Sequence, residues 1–286
     1  MNKKLSIIIV TFNSEKLIFD CLDSIYKFND IGSDLEVIIV DNCSDNCDLI
    51  FANIRFKYPS DIILINSSVN KGYGHGNNQG IKASNSPILV VMNPDVRLVK
   101  PIFKNIIARI NNNKNIGLIG VRFIDGSNSL YFKPEKTNLL KLIFGNLFIK
   151  YGKYKIQNMF FSGSFLIFDK LSFTEAGCFD ENIFMFYEEA DISNRILLIG
   201  KETILADDIF VEHLAHGRKV NYYLLQVGAK SRKYYFNKYH VDINRYYIIN
   251  LIYYRLKYFF AILLNNKVKK EEFYQWILMS KKKGII

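Results

Sequence analysis

Short apolar runs alternate with amphipathic stretches along the first two thirds of the chain. Leu5-Ser-Ile-Ile-Ile-Val10, Leu35-Glu-Val-Ile-Ile-Val40, Ile62-Ile-Leu-Ile65 and Ile88-Leu-Val-Val-Met92 read as buried strands. Ser14 stands where it can cap a helix with Leu17, Ile18, Cys21, Leu22 and Ile25 on one face. A short helix is expected near Asn78–Ala83, a longer one at Ile102–Ile110 and a strand at Ile116–Val121. Residues 122–160 show no clear period and read as a variable, loop-rich insertion. Phe165–Phe168 reads as a strand, and Glu188–Ile199 as a helix with an acidic start and Gly200 as its stop. Thr203–Leu205 and Ile209–Val211 read as two short strands, and from Tyr222 onward the pattern is helical. Strands that alternate with helices define an α/β fold with a mostly parallel sheet.

Polar residues gather just past the expected strands: Thr11 and Asn13, Asp41 and Asn42, Asn66, and Asn93 with Asp95. In open α/β sheets that edge is where ligands bind. Pro94 fixes its own φ and keeps Asn93 extended, so the Asp95 carboxylate is held at a defined point of the edge.

Charge divides the chain. Its 38 Lys and Arg exceed its 27 Asp and Glu by 11. Residues 1–218 hold 24 of each sign, whereas residues 219–286 hold 14 cations, 3 acids and 16 aromatic residues. The division implies a neutral domain at 1–218 and a basic, aromatic helical extension at 219–286. The most apolar stretch, Tyr246–Leu264, is broken by Arg255 and Lys257, so an interfacial helix on an anionic membrane is expected rather than a spanning one. The short apolar run after the N-terminal lysines does not fit a signal peptide. A cytoplasmic protein, peripheral at the inner face of the membrane, is therefore expected. Cys21, Cys43, Cys47 and Cys178 lack metal-type spacing and are expected to be reduced. No nucleic-acid-binding signature accompanies the basic charge.

Three stretches carry candidate chemistry. In GCFDENIFMFYEEADISNR, residues 177–195, Glu188 and Asp191 share a helix face beside an apolar wall, with Glu189 pointing elsewhere. Like charges beside apolar groups raise a carboxyl pKa, as a general base requires. In FVEHLAHGR, His213 and His216 follow a strand and, with Asp95, suggest a divalent metal held by mixed oxygen and nitrogen ligands. In NKGYGHGNNQGI, residues 70–81, the glycines read as allowing the backbone and Asn78 to approach a ligand. The stretch lacks the context of a dinucleotide fingerprint or a P-loop.

These pieces, with SIIIVTFNS, VIIVDNCSDN and VVMNPDVRL, run in one order from residue 5 to about 217. The order resembles the family 2 inverting glycosyltransferases of GT-A fold, in particular their bacterial rhamnosyltransferase-like branch. The resemblance implies a GT-A domain and Mg2+ or Mn2+ on Asp95, with His213 completing the metal site. It implies a donor site lined by Thr11, Asn13, Asp41, Asn70, Gly72, Asn78, Asn93 and Asp95, and Glu189 as catalytic base. Glu188-Glu189 replaces the usual Glu-Asp pair, so Glu188 or Asp191 remains an alternative base. NPD keeps one acid of a two-acid motif. The donor implied is dTDP-L-rhamnose, with other dTDP- or UDP-sugars as alternatives. The acceptor implied is a glycan, carried on a polyprenyl diphosphate in O-antigen or other surface polysaccharide synthesis. A non-catalytic nucleotide-sugar-binding protein is the remaining alternative.

Overall fold

The structure, a computed structural model, describes residues 3–59, 61–124, 129–214 and 222–281. His216, singled out above, lies outside them. The chain forms β1 (Leu5–Thr11), α1 (Glu15–Lys27), β2 (Leu35–Asp41), α2 (Cys47–Lys57), β3 (Ile63–Asn66), α3 (Tyr73–Ala83), β4 (Ile88–Met92), β5 (Val96–Leu98), α4 (Phe103–Asn112) and β6 (Ile116–Phe123). It continues through β7 (Leu130–Phe132), α5 (Leu139–Lys150), β8 (Met159–Phe161), β9 (Phe165–Asp169), α6 (Lys170–Glu175), α7 (Glu188–Leu198) and β10 (Glu202–His213). Three helices follow: α8 (Tyr222–Lys238), α9 (Ile243–Leu263) and α10 (Lys267–Lys281).

Eight strands form one sheet in the order β3-β2-β1-β4-β9-β6-β10-β5. The pairs β1–β2, β1–β4, β2–β3 and β6–β10 are parallel, while β9 is antiparallel to β4 and β6, and β5 to β10. The mostly parallel α/β sheet expected from the sequence is therefore present. Every residue of β1 and β2 is buried, which is why both read as apolar runs; the polar Ser6 and Glu36 near their starts are hydrogen-bonded to each other. On one face Ile7, Ile9, Val37 and Ile39 share a core with Ile18, Cys21, Leu22 and Ile25 of α1 and Ile106 and Ile110 of α4. On the other face Ile8, Val10 and Val40 lie beneath α3.

Several local expectations change. Ser14 precedes α1 but makes no side-chain cap; its hydroxyl donates to Phe12 O instead. Helix α2 is an element the sequence reading lacks, although Cys47, Ile50, Phe51 and Ile54 recur at helical spacing. The two short strands near residues 203–211 are one strand, β10, with a bulge between Ala206 and Phe210. There Asp207 meets Arg122, and Asp208 meets Arg109. The segment 122–160 is not loop-rich throughout, because it contains α5.

The chain divides into two compact units. Unit 1 is Met1–Tyr131, Phe160–Phe184 and Glu188–Arg218, and contains the eight-stranded sheet. Unit 2 is Phe132–Met159, Met185–Tyr187 and Lys219–Ile286. The division is thus not a single cut near residue 218, because α5 packs on α9 within unit 2. This sharpens the charge asymmetry. Unit 1 carries 18 Lys and Arg against 23 Asp and Glu, whereas unit 2 carries 20 against 4.

Candidate active site

Strand direction assembles the site. The C-terminal ends of β1, β2, β4 and β10 lie at one edge of the sheet. Because β9 and β5 run the other way, their N-terminal ends lie there too, with Met92 opposite Phe165 and His213 opposite Val96. Thr11 and Asp41 are in register and buried. The Thr11 hydroxyl donates to Asp41 Oδ2 at 2.9 Å, and Ser44 donates to both Asp41 oxygens, from its hydroxyl at 2.6 Å and its N–H at 2.7 Å. Asn13, exposed and left-handed at φ 48°, donates its N–H to Ser44 Oγ and accepts from Asp45 N. Thr11 and Asp41 therefore form a self-satisfied frame, and Asn13 is the member of the group that faces solvent.

The β4–β5 connection holds Asp95 as the sequence suggests, with one helper it did not reveal. The guanidinium of Arg97 donates to Pro94 O at 2.7 Å, Val96 O at 2.8 Å and Leu17 O at 3.0 Å. This clamps the turn onto α1. Asn93 donates its N–H to Ser164 O at 2.9 Å, and its side-chain Oδ1 is buried without a hydrogen-bond partner. His213 Nε2 stands 3.6 Å from Asp95 Oδ2, too long for a hydrogen bond and within reach of a shared cation. Among the described residues no group of three His, Cys, Asp or Glu is arranged to hold a metal. Asp95, His213 and the buried Asn93 oxygen are a mixed oxygen and nitrogen donor set that fits Mg2+ or Mn2+ if the substrate supplies the remaining ligands.

Helix α7 brings the acids. Glu188 is buried at 3% exposure and its Oε2 has no hydrogen-bond partner. Burial, then the charges of Glu189 and Asp191, raise its pKa well above the usual carboxylate range. Glu189 is half-buried and accepts from Gly163 N at 3.2 Å. Asp191 is fully buried and takes two bonds from Arg195, at 2.9 and 2.6 Å, and Arg195 also holds Ala176 O. Its carboxylate is thus committed to anchoring α7. Just ahead of Glu188, Phe186 and Tyr187 have φ values of 69° and 74°. Consecutive left-handed aromatic residues cost about 1–3 kcal/mol each and mark a segment whose shape is fixed by its surroundings.

The sequence reading misses Tyr73 and Gly163. The Tyr73 hydroxyl donates to Gly163 O at 2.7 Å. Burial and then the fields of Glu188, Glu189 and Asp95 raise its pKa well above the ordinary value. The phenol is thus tied to Gly163, whose N–H holds Glu189. A Cβ on Gly163 would stand 2.5 Å from Glu189 Oε1, so only glycine leaves that carboxylate its place. The Ser162-Gly163-Ser164 step between two aromatic strands was the available signal.

The glycine-rich stretch is helical from Tyr73, and its glycines lie close against protein. A Cβ on Gly80 would meet Ile8 Cγ2 at 2.6 Å, one on Gly76 would meet Val10 Cγ1 at 2.9 Å, and one on Gly72 would meet the Phe184 carbonyl oxygen. Asn70 accepts from Gly72 N at 3.0 Å, and Asn42 donates to Gly72 O at 2.9 Å. Asn78 donates to Phe179 O and Glu181 and accepts from Phe179 N at 3.0 Å. Its amide thus holds the loop that leads to α7.

Comparison with known proteins agrees with this architecture. Residues 6–176 match the model of glycosyl transferase family 2, and the chain belongs to that family. It is 28% identical over 199 residues to the low-salt glycan biosynthesis hexosyltransferase Agl10 of Haloferax volcanii, covering 67% of this chain and 61% of that protein. The chain thus spans about three fifths of the length of that curated relative. Its fold is that of GT-A glycosyltransferases. The mannosyltransferase PcManGT of Pyrobaculum calidifontis, solved with GDP-mannose and Mn2+, superposes with a TM-score of 0.67 at 16% identity, covering 98% of this chain and 85% of that one. TarS 1–349 of S. aureus, solved with UDP, gives 0.56 at 16% identity, covering 98% and 92%.

Proposed function

We propose that the chain is an inverting glycosyltransferase that moves a sugar from a nucleotide diphosphate to a hydroxyl of a glycan acceptor. The observation that supports this best is the hydrogen-bonded step Gly163-Ser164, which holds Glu189 through Gly163 N and Asn93 through Ser164 O, with Asp95 two residues on and 3.6 Å from His213. In this reading Asn13, Asn93 and Asp95 bind the donor along the sheet edge. Asp95 and His213 hold Mg2+ or Mn2+, which when bound neutralises charge on the leaving diphosphate. Glu189, oriented by Gly163 N, takes the proton of the acceptor hydroxyl as its oxygen attacks the anomeric carbon. The bond from that carbon to the diphosphate breaks on the opposite face, and one displacement inverts the centre. Burial raises the Glu188 carboxyl pKa and so favours its neutral form, whereas Glu189 is held by Gly163 N; Glu189 is the proposed base and Glu188 the alternative.

The donor proposed from the sequence resemblance is dTDP-L-rhamnose. PcManGT holds GDP-mannose and TarS holds UDP, so GDP- and UDP-sugars belong in the same test. The proposed acceptor is a glycan on a polyprenyl diphosphate in surface polysaccharide assembly, reached from the inner face of the membrane through basic helices of unit 2. Calorimetry with a nucleotide-sugar panel, with and without Mn2+, tests the assignment. One donor should bind with metal assistance. Asp95→Asn should lose that assistance, and Glu189→Gln should bind the donor yet lose transfer by at least about 100-fold. Full transfer by Glu189→Gln would overturn the base. Failure of every donor to bind would overturn the transferase reading.

A further inference from the structure

Helix α5 turns an apolar face to solvent. Leu140, Ile143, Phe144, Leu147 and Tyr151 recur at helical spacing and are all exposed, Leu140 by 61%, Leu147 by 49% and Tyr151 by 66%. Soluble proteins seldom leave such a stripe uncovered. Beside it, within unit 2, lies a pocket of about 500 Å3 lined by Phe132, Lys141, Phe148, Lys153, Tyr154 and Lys155. Lys141 Nζ donates to Lys136 O and stands over the Phe132 ring at 5.1 Å. No acid lines the pocket. Residues 132–159 contain six lysines and one acid, Glu135, which accepts the Tyr235 hydroxyl at 2.9 Å.

We propose that α5 and residues 151–158 form a docking site for an anionic phospholipid surface. The α5 stripe enters the acyl boundary, and Lys141, Lys153 and Lys155 take a headgroup phosphate. Three observations select lipid as the occupant. The charge is one-sided, as an anionic surface requires. Unit 2 holds 14 of the chain's 18 tyrosines, the residue suited to headgroup depth. No described helix is long and apolar enough to cross a membrane, so the apolar face lies on the surface rather than through it. Burial and the Lys136 charge lower the Lys141 pKa, a penalty that a bound phosphate would relieve. The site deepens the membrane attachment proposed above by moving its centre from the C-terminal helices to the insertion.

Sedimentation of the full chain with phosphatidylcholine vesicles, and with vesicles that also contain phosphatidylglycerol, tests the site. Wild type should bind the anionic vesicles at low salt and the neutral ones at least about tenfold more weakly. Phe144→Asp/Leu147→Asp and Lys153→Glu/Lys155→Glu should each weaken anionic binding by more than about tenfold, with unchanged thermal midpoints. Leu147→Trp, at an exposed position, should shift its fluorescence to the blue on those vesicles. If both double variants bind like wild type while Phe259→Asp/Leu263→Asp in α9 does not, the α5 site is overturned and attachment through the C-terminal helices stands. If wild type binds neither vesicle, both are overturned, and the donor-binding test of the transferase is unaffected. If inorganic phosphate binds wild type and that binding is lost in Lys153→Glu/Lys155→Glu, while the same variant binds anionic vesicles like wild type, the pocket is a free-phosphate site and the lipid assignment fails.

Discussion

At the scale of single residues, the site depends on groups whose partners are remote in sequence. Gly163 is the clearest case. Its N–H orients Glu189, and a methyl group there would collide with the carboxylate at 2.5 Å. Gly163→Ala should therefore leave the thermal midpoint nearly unchanged, since the Glu189 side chain can swing away. Steady-state kinetics should show kcat at least about tenfold lower, about 1.4 kcal/mol in the barrier, with KM for the donor little altered. Glu188 gives a pH signature. Burial lifts its pKa well above the ordinary 4.5, so the folded protein keeps a proton that the unfolded chain releases. Its contribution to stability is complete below about pH 4.5 and declines as pH rises from there toward the folded pKa. Glu188→Gln removes that decline. Thermal melts should show the variant more stable than wild type at pH 8 by on the order of 1–3 kcal/mol, with the gap closing as pH approaches 4.5. A gap that widens on acidification would show that Glu188 is ionised in the folded protein. Asp95 and His213 were legible as candidates because Asp95 lies in the short connection after β4 and His213 ends β10. Arg97 and Tyr73 were not, since nothing local distinguishes a clamp from any other Arg or Tyr.

At the scale of elements, helix α3 shows how a motif changes meaning once it is folded. A Gly-Tyr-Gly-His-Gly run looks like a ligand loop, because glycine permits close approach, but sequence does not say to what. Here Gly72 approaches Phe184, Gly74 approaches Phe179 and Gly76 approaches Val10 of β1, while Gly80, one turn further on, approaches β1 and β2. Gly80→Ala should cost about 1–3 kcal/mol in chemical denaturation, because the added methyl would stand 2.6 Å from Ile8 Cγ2 and 3.1 Å from Val40 Cγ2. An unchanged midpoint would show that the α3–sheet contact can relax. Helix α5 escaped the pattern for the opposite reason. It packs one side on α9 and leaves the other apolar side exposed, so no polar face marks its period. Strand β10 read as two because Asp207 and Asp208 interrupt its apolar run. They leave the ladder at the bulge and pair with Arg122 and Arg109.

At the scale of the molecule, charge and composition separate into two units. Unit 1 is slightly acidic and holds the sheet and its acids, while unit 2 is strongly basic and aromatic. A single boundary in the sequence captured most of that separation and missed the six lysines of residues 132–159, which join the basic unit only because α5 packs on α9. The amino-acid sequence by itself determined the α/β class, since strands buried on both faces are predominantly apolar and here alternate with amphipathic helices. It also placed Asp95, Glu188, Glu189 and His213 among the candidates, because those carboxylates and that imidazole sit at the ends of apolar elements. Tertiary structure alone decided which of them meet. The order of strands and the reversed direction of β9 bring Gly163 against Glu189 and Tyr73, whereas the Asp191–Arg195 pair is local to α7, four residues apart on one helix. Spacing along the chain is local information, whereas the register of an antiparallel strand inserted between parallel ones is set by packing across the whole sheet.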